Sequence, residues 1–300
     1  MRGLAMFKKV LIATDLSASS DAIIDCMAEL KSFEVEEVIL FYACGVRHLD
    51  TIAELIKQSV ETNLIRQQKK LESQGFKTNL IIMPGIPSEE LKRVCKQNQV
   101  SLVVMGSHGE SAANHILFRL GKVTSEVLHS HEQPLLLIRT KVIEENGERR
   151  IVSLCGNLKE KVLFATDFSN ISMKAFQYVE KLVEGGCKNV TLIHVQDKIK
   201  IEKYLGDKLE EFNRTDTERL ELLRRQLISK GAEIVDVKIL YGIPSKEILE
   251  ESRKGHTLIV LGSQGHGFFN EIFIGSVSHN IARSADVSVL LIPAKDRGNK

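Results

Sequence analysis

The chain has 300 residues, more than one hydrophobic core usually organises, so we expect two domains of about 150 residues each. Its 41 lysines and arginines nearly balance 39 aspartates and glutamates, and the charges are dispersed. This balance argues against a nucleic-acid-binding or membrane-surface protein, which would need a basic patch. The sequence has no uncharged apolar run of about 18 residues, so we predict no membrane span.

The N-terminal segment and the cysteines predict a cytoplasmic protein. The segment from Met1 to Asp15 has a basic start but only a short apolar run and no small-residue cleavage pattern, so we interpret it as a first β-strand and not a signal peptide. The five cysteines are odd in number and scattered, without Cys-x-x-Cys spacing. We therefore expect small, buried or half-buried, reduced thiols.

Ten short apolar runs, five in each half of the chain, are the predicted strands. They are apolar at nearly every position, as in a parallel sheet covered on both faces by helices. Amphipathic spacing predicts helices between them, and the charged faces of the two long ones, at about 51–75 and 200–230, are most simply solvated surface. This alternation predicts a doubly wound α/β fold. The predicted strands are residues 7–14, 38–43, 78–83, 102–106, 134–138, 161–166, 190–195, 233–240, 258–262 and 288–292.

Four segments of the first half recur in the same order in the second half. The period of about 155 residues indicates a duplicated domain, since solenoid repeats are much shorter. We predict domains at residues 1–140 and 161–300, joined by a polar linker at 141–160 in which Ile151–Leu154 is apolar enough for a short strand. The matching pairs are Val10–Ser17 with Val162–Ser169, Gly85–Leu91 with Gly242–Ile248, Leu102–Gly109 with Leu258–Gly265, and Pro134–Ile138 with Ser288–Ile292.

The residues that follow the strands of the second copy form the candidate ligand site, because ligands of open parallel sheets bind beyond the carboxyl ends of the strands. Asp167 follows the first strand, and its carboxylate can accept hydrogen bonds from ribose hydroxyls. Glycines between Gly262 and Gly267 follow the fourth strand; they allow main-chain N–H groups to approach a polyphosphate and permit the positive φ of tight loops. Gly275–Ser278 opens the last helix, where free N–H groups and the helix dipole suit an anion.

Each feature also has a purely structural interpretation. A lone Gly-x-x-Gly is a common loop, Ser276 and Ser278 could be helix caps, and Asp167 could cap the helix that begins near Ser169. His194 and His266 are more often hydrogen-bonded strand-end or loop residues than ligands. What favours a site is that the glycines, the helix start and the acid map to one sheet edge.

The pattern Gly262-x₂-Gly265-x₉-Gly275-Ser276, with the Ala165-Thr166-Asp167 strand end and a Gly-Ile-Pro loop, resembles the universal stress protein family and its ATP-binding members in particular. The resemblance covers nearly the whole chain outside the linker and tail. It implies two tandem domains, each a five-stranded parallel sheet of order 3-2-1-4-5, like the adenine nucleotide alpha hydrolases. It also implies ATP or AMP as ligand, and leaves open a Mg²⁺ ion on the phosphates.

By the same resemblance, Asp167 meets the ribose, Ala165 and Val195 line the adenine, and the glycine loop with the start of the last helix holds the phosphates. The implied nucleotide-binding residues are Ala165, Thr166, Asp167, Val195, Gly262, Ser263, Gln264, Gly265, His266, Gly267, Gly275, Ser276, Val277 and Ser278.

The first copy departs from this pattern. Nine residues beyond Gly109 the sequence reads Arg119-Leu120, whereas aligning the last helices by Val123 and Val277 pairs Gly121-Lys122 with Gly275-Ser276 and leaves eleven residues in the loop. We expect weaker nucleotide binding, with Arg119 or Lys122 at the phosphate position; the alternative is a loop in which a basic side chain replaces main-chain donors. The weaker candidates are Asp15, Gly106, Gly109 and Gly121.

We expect an adenine-nucleotide-binding sensor or regulatory module of the stress response, and not an enzyme. The alternatives are a slow ATPase or phosphotransferase and a purely structural stress protein. The sequence disfavours catalysis, since phosphoryl transfer needs a positioned base or water and charge neutralisation beyond glycines. We predict no metal site: His129 and His131 point apart on a helix and lack a third ligand. By analogy with the family, the two domains pair through their last strands, and the fused chain could dimerise again.

Overall fold

The computed structural model describes residues 6–44, 53–107, 120–145, 148–198, 209–265 and 274–294. It divides into two compact units, Met1–Gly156 and Asn157–Lys300. The division lies within the segment 141–160 that the sequence predicts as a linker. Within the described residues, no helix is both long and apolar enough to cross a membrane.

The first unit has a parallel sheet with its strands in the order β3-β2-β1-β4-β5. Helices alternate with the strands, as the apolar patterns predict. The strands are β1 (Lys9–Ala13), β2 (Glu37–Cys44), β3 (Lys77–Pro84), β4 (Leu102–Gly106) and β5 (Leu135–Ile138). The helices are α1 (Ala18–Asp25), followed by a 3-10 helix (Met27–Phe33), α2 (Ala53–Ser73), α3 (Pro87–Gln97) and α4 (Lys122–Ser130).

The predicted linker carries an antiparallel hairpin of β6 (Thr140–Glu145) and β7 (Glu148–Ser153), which packs against α1 of the first unit. A disulfide joins Cys26, at the end of α1, to Cys155, just after β7, with their Cα atoms 6.0 Å apart. The expectation of five reduced thiols is therefore wrong for these two. The pair is separated by 129 residues in sequence, so spacing alone cannot reveal it.

The second unit repeats the first, with strand order β10-β9-β8-β11-β12 and parallel pairing throughout. The doubly wound α/β class and the order 3-2-1-4-5 are thus confirmed within each unit. The strands are β8 (Val162–Ala165), β9 (Asn189–Asp197), β10 (Ile234–Gly242), β11 (Leu258–Gly262) and β12 (Ser288–Ile292). The helices are α5 (Asn170–Glu184), α6 (Leu209–Ser229), α7 (Pro244–Ser252) and α8 (Ser276–Ser284).

Burial explains why these runs form strands. Every residue of β8, β11 and β12 is buried. Continuous apolar sequence is what such positions require. Strand β10, at one end of the second unit's strand order, mixes buried and exposed positions and includes the exposed Ile234 and Tyr241.

The strand register creates a raised wall at the carboxyl edge of the second sheet. Strand β8 ends at Ala165, which pairs with Ile193 of β9. Strand β9 continues past that point, and Asp197 pairs with Gly242 of β10. Residues 194–197, which we call the β9 wall, therefore extend beyond the end of β8 and flank the space above it.

Candidate functional site

The turn after β8 fixes the position of Asp167. Phe168 has a left-handed φ of 59°, and its N–H donates to Oγ1 of Thr166 over 2.9 Å. The N–H of Ser169 donates to Oδ1 of Asp167 over 3.0 Å. Ser169 is the N-cap of α5 and accepts from the N–H of Ser172. The alternative in which Asp167 itself caps α5 is therefore wrong, and its carboxylate is held at the edge of the sheet.

The glycines after β11 are needed for close packing. A Cβ on Gly265 would lie 2.5 Å from Oδ2 of Asp167, and one on Gly262 would lie 2.9 Å from Cγ2 of Ile171. Neither these two nor Gly275 has a left-handed φ, so the expected need for positive φ is not the reason for glycine at these places. Gly265 brings the loop main chain directly against the Asp167 carboxylate.

The start of α8 is tied to the same loop. The N–H of Gly275 donates to the carbonyl of Ser263 over 2.8 Å, and Oγ of Ser278 donates to the carbonyl of Gly262 over 2.7 Å. Among the residues that the structure describes, no side chain caps α8 at its N-cap, Gly275. The hydroxyl of Ser278 holds the end of β11 instead of capping the helix. The positive end of the α8 dipole thus lies beside the glycine loop, which suits an anionic ligand.

These elements surround a cavity of about 610 Å³ within the second unit. Ser263 and Gln264 are buried in the loop but do not line the cavity, while His266 and Gly267 lie outside the described residues. The sequence-predicted residues that line it are Ala165, Thr166, Asp167, Val195, Gly262, Gly265, Gly275, Ser276, Val277 and Ser278.

Sequence reasoning missed one side of the cavity. This side is formed mainly by the β9 wall, α6 and the start of α7. The β9 wall has only four residues, too few for its sequence pattern to indicate a site. The sequence favours a hydrogen-bonded strand-end role for His194, and the structure places this residue in the cavity lining. The additional lining residues are Ser172, Ile193, His194, Gln196, Asp197, Phe212, Asp216, Ile243, Pro244, Ser245, Ile248, Leu261 and Asn280.

A polar cluster connects α6 to the β9 wall. Oδ2 of Asp216 lies 3.2 Å from Nε2 of Gln196, which donates to it, and 3.5 Å from Nε2 of His194. Nδ1 of His194 lies 2.8 Å from the carbonyl of Thr166. Arg219 lies 3.6 Å from Oδ1 of Asp216. The interpretation of the charges of α6 as a solvated face is wrong for Asp216, whose side chain is 13% exposed.

The first unit repeats the turn with one change. The N–H of Leu16, φ 63°, donates to Oγ1 of Thr14, and the N–H of Ser17 donates to Oδ1 of Asp15. Here the hydroxyl of Ser20 also donates to Oδ1 of Asp15 over 2.6 Å. The corresponding serine of the second unit, Ser172, is instead 2.9 Å from Oγ1 of Thr166.

The start of α4 decides between the two alignments of the first copy. The N–H of Gly121 donates to the carbonyl of Ser107, and Oγ1 of Thr124 donates to the carbonyl of Gly106 over 3.0 Å. These are the contacts of Gly275 and Ser278, so the alignment that places Arg119 at this helix start is wrong. Lys122 takes the position of Ser276. Gly109 and Arg119 lie outside the described residues.

Among the described residues, no group of three or more His, Cys, Asp or Glu side chains is placed to hold a metal ion. The cavity has a carboxylate and a helix N-terminus on its lining, two groups of opposite electrostatic character.

Comparison with known proteins assigns the chain to a family. The model of the universal stress protein family matches residues 6–139 and 159–293. The chain belongs to the universal stress protein family. It carries two such domains in tandem, as the internal repeat predicts.

Relatives of this family support the tandem arrangement. A universal stress protein of Mycolicibacterium smegmatis is 23% identical over 299 residues, covering 94% of this chain and 96% of that protein. One from Methanocaldococcus jannaschii is 30% identical over 159 residues, covering 45% of this chain and 97% of that protein. The crystal structure of a universal stress protein from Archaeoglobus fulgidus superposes with a TM-score of 0.72 at 26% identity, covering 96% of this chain and 98% of that one.

Proposed function

We propose that the second unit binds an adenine nucleotide, ATP or AMP, and that the protein acts as a nucleotide-dependent regulatory module in stress response. The observation that carries this proposal is the convergence of Asp167, Gly265 and the start of α8 on one cavity of about 610 Å³. Pockets for small molecules of nucleotide size have volumes of this order.

Different parts of the cavity lining suit different parts of a nucleotide. Asp167 repels phosphates but can accept hydrogen bonds from ribose hydroxyls. The main chain around Gly265 and the N-terminus of α8 at Gly275 and Ser276 offer donors and positive potential to the phosphates. Ala165 and Val195 offer apolar surface to the base. A nucleotide with its phosphates toward α8 and its base toward the β9 wall matches this distribution.

We propose further that the first unit binds nucleotide more weakly. At the start of α4, Lys122 replaces Ser276, and the loop before it is two residues longer than in the second unit. In addition, Ser20 donates to Oδ1 of Asp15, so one lone pair of this carboxylate is already used within the protein. Both differences lower the capacity of the first unit to hold ribose and phosphates in the same manner.

The test is the stoichiometry and identity of bound nucleotide in the full-length protein. The purified chain is denatured, released nucleotide is identified by chromatography, and ATP binding is titrated after nucleotide removal. We expect one equivalent of adenine nucleotide per chain, lost in Gly275→Arg and retained in the matched variant Gly121→Arg. Absence of both released nucleotide and ATP binding contradicts the proposal, and two equivalents contradict the inequality of the units.

We propose that the second unit binds ATP without hydrolysing it rapidly. A slow ATPase or a phosphotransferase remains the alternative, and it needs a base or water positioned at the γ-phosphate. Phosphate release from ATP by the full chain, compared with Gly275→Arg, distinguishes the two functions. Multiple turnovers that disappear in Gly275→Arg would favour the enzyme.

A further inference from the structure

Two residues of the cavity lining come from the starts of neighbouring helices. Ser245 is the second residue of α7, Asn280 is the fifth residue of α8, and both line the cavity. The two helices pack against each other. Ser245 is half-buried and Asn280 is exposed. Neither side chain is charged, so this part of the cavity, which we call the α7–α8 gap, adds no negative charge of its own.

The corresponding place in the first unit holds a carboxylate. The sequence repeat pairs Ser88 of α3 with Ser245, and the matched starts of α4 and α8 pair Glu126 with Asn280. The hydroxyl of Ser88 donates to Oε2 of Glu126 over 2.8 Å, and both side chains are half-buried. This hydrogen bond joins two positions whose counterparts both line the cavity. Glu126 therefore places a negative charge where the second unit has ligand space.

Helix dipoles explain why a carboxylate is stable at this place. Ser88 lies in the first turn of α3, where the positive end of the helix dipole favours an anion. The carboxylate of Glu126, held by the hydroxyl of Ser88, is therefore an anion that belongs to the protein itself. In the second unit the first turn of α7 has no such anion from position 280, because asparagine is uncharged, and its positive potential is left for a ligand.

We propose that the fifth residue of the last helix decides whether a unit accepts an anionic nucleotide: Asn280 admits it to the second unit, and Glu126, bonded to Ser88, excludes it from the first. This inference rests on the proposed function and adds to it a residue outside the glycine pattern. A carboxylate in the gap repels the phosphates of a nucleotide, and its hydrogen bond to the neighbouring helix closes the gap.

The first test moves the charge into the second unit. ATP is titrated calorimetrically into the nucleotide-free full chain and its variants. In Asn280→Glu we expect ATP affinity to fall by about tenfold or more, because like charges close together in a half-buried site repel strongly. Asn280→Gln, equal in size to the glutamate variant but uncharged, should lower the affinity much less. Asn213→Glu, the same change at an exposed residue of α6 outside the cavity lining, should keep the affinity of the unaltered chain.

The second test removes the charge from the first unit. The starting chain carries Gly275→Arg, so that ATP binding reports on the first unit. Adding Glu126→Asn, which installs the residue of the second unit, should raise ATP affinity by about tenfold over Gly275→Arg alone. Folding of every variant is checked by circular dichroism. Asn280→Asp, which adds a charge at nearly constant size, replaces Asn280→Glu if that variant unfolds.

The outcomes separate this inference from the proposed function. Equal ATP affinities of Asn280→Glu and Asn280→Gln overturn the inference, since charge at this position then decides nothing. An unchanged affinity of the first unit after Glu126→Asn also overturns it, because Glu126 is then not what excludes the nucleotide. In both cases ATP binding by the unaltered chain leaves the proposed function standing. Failure of the unaltered chain to bind any adenine nucleotide overturns the proposed function itself.

Discussion

Gly265 and Asp167 are in such close contact that a methyl group on the glycine would occupy the place of the carboxylate: the added Cβ would lie 2.5 Å from Oδ2. The glycine loop and the turn after β8 are thus fitted to each other. The loop main chain reaches the site only because residue 265 has no side chain.

We therefore expect Gly265→Ala to weaken ATP binding by about tenfold, because Asp167 must move away from the ribose position and loses a hydrogen bond to a charged group. Isothermal titration of the full chain measures the effect. The control is Gly156→Ala, since a Cβ at Gly156 would meet no atom within 4 Å. Unchanged affinity in Gly265→Ala would show that Asp167 does not contact the ligand.

The hydroxyl of Ser278 anchors α8 to the carbonyl of Gly262. Ser278→Ala removes this buried hydrogen bond, which is worth about 1 kcal/mol of unfolding free energy, and loosens the helix start at the site, so we expect ATP affinity to fall by about fivefold. Thr124→Val removes the same bond, to Gly106, from the first unit. It should cost similar stability in urea unfolding but leave ATP binding by the second unit intact. Equal effects of both variants on binding would contradict this assignment.

The disulfide between Cys26 and Cys155 closes a long loop of the first unit. Under denaturing conditions without reductant we expect three reactive thiols, those of Cys44, Cys95 and Cys187, and five after reduction. Because the bond spans 129 residues, Cys26→Ser should lower the unfolding free energy of the oxidised protein by about 5 kcal/mol. Cys95→Ser, at a buried cysteine outside the disulfide, should leave the bond intact. Five thiols before reduction would rule the bond out.

His131, after α4, makes the stability of the first unit depend on pH. Burial lowers its pKa from 6.5 to about 4. The unfolded chain therefore binds a proton more readily than the folded one, so stability is complete above pH 6.5 and is lost as the pH falls towards 4. We expect a loss of up to about 3 kcal/mol over this interval, measured by urea unfolding. His131→Leu should flatten the slope, whereas His129→Gln, which removes only the weaker charge repulsion from an exposed neighbour, should flatten it much less.

Much of the fold could be predicted because strands of a covered parallel sheet are continuous apolar runs. Strands β4, β11 and β12 begin and end at the predicted residues. The hairpin of β6 and β7 could not be recognised so easily. Residues of β6 are largely exposed, and its composition is that of a polar linker.

The candidate site, too, could be predicted from the sequence only in part. Asp167, Gly265 and Gly275 follow directly from the rule that ligands bind beyond strand ends, and the structure brings them together around the cavity. Their role in nucleotide binding stays a prediction. Gln196 and Asp216 could not be found from sequence, because their contact joins a strand end to a helix twenty residues later and depends on how α6 packs.

The turn that follows β1 and β8 has a consequence for what its aspartate indicates about ligand binding. In both units the aspartate accepts a main-chain hydrogen bond that lets the chain pass through a left-handed residue into the first helix. Asp15 and Asp167 are thus part of the folding of their domains as well as candidates for ligand contact. A unit that binds no ligand still needs this carboxylate for the turn into its first helix. The presence of an aspartate at this position therefore does not by itself indicate that a unit binds a ligand.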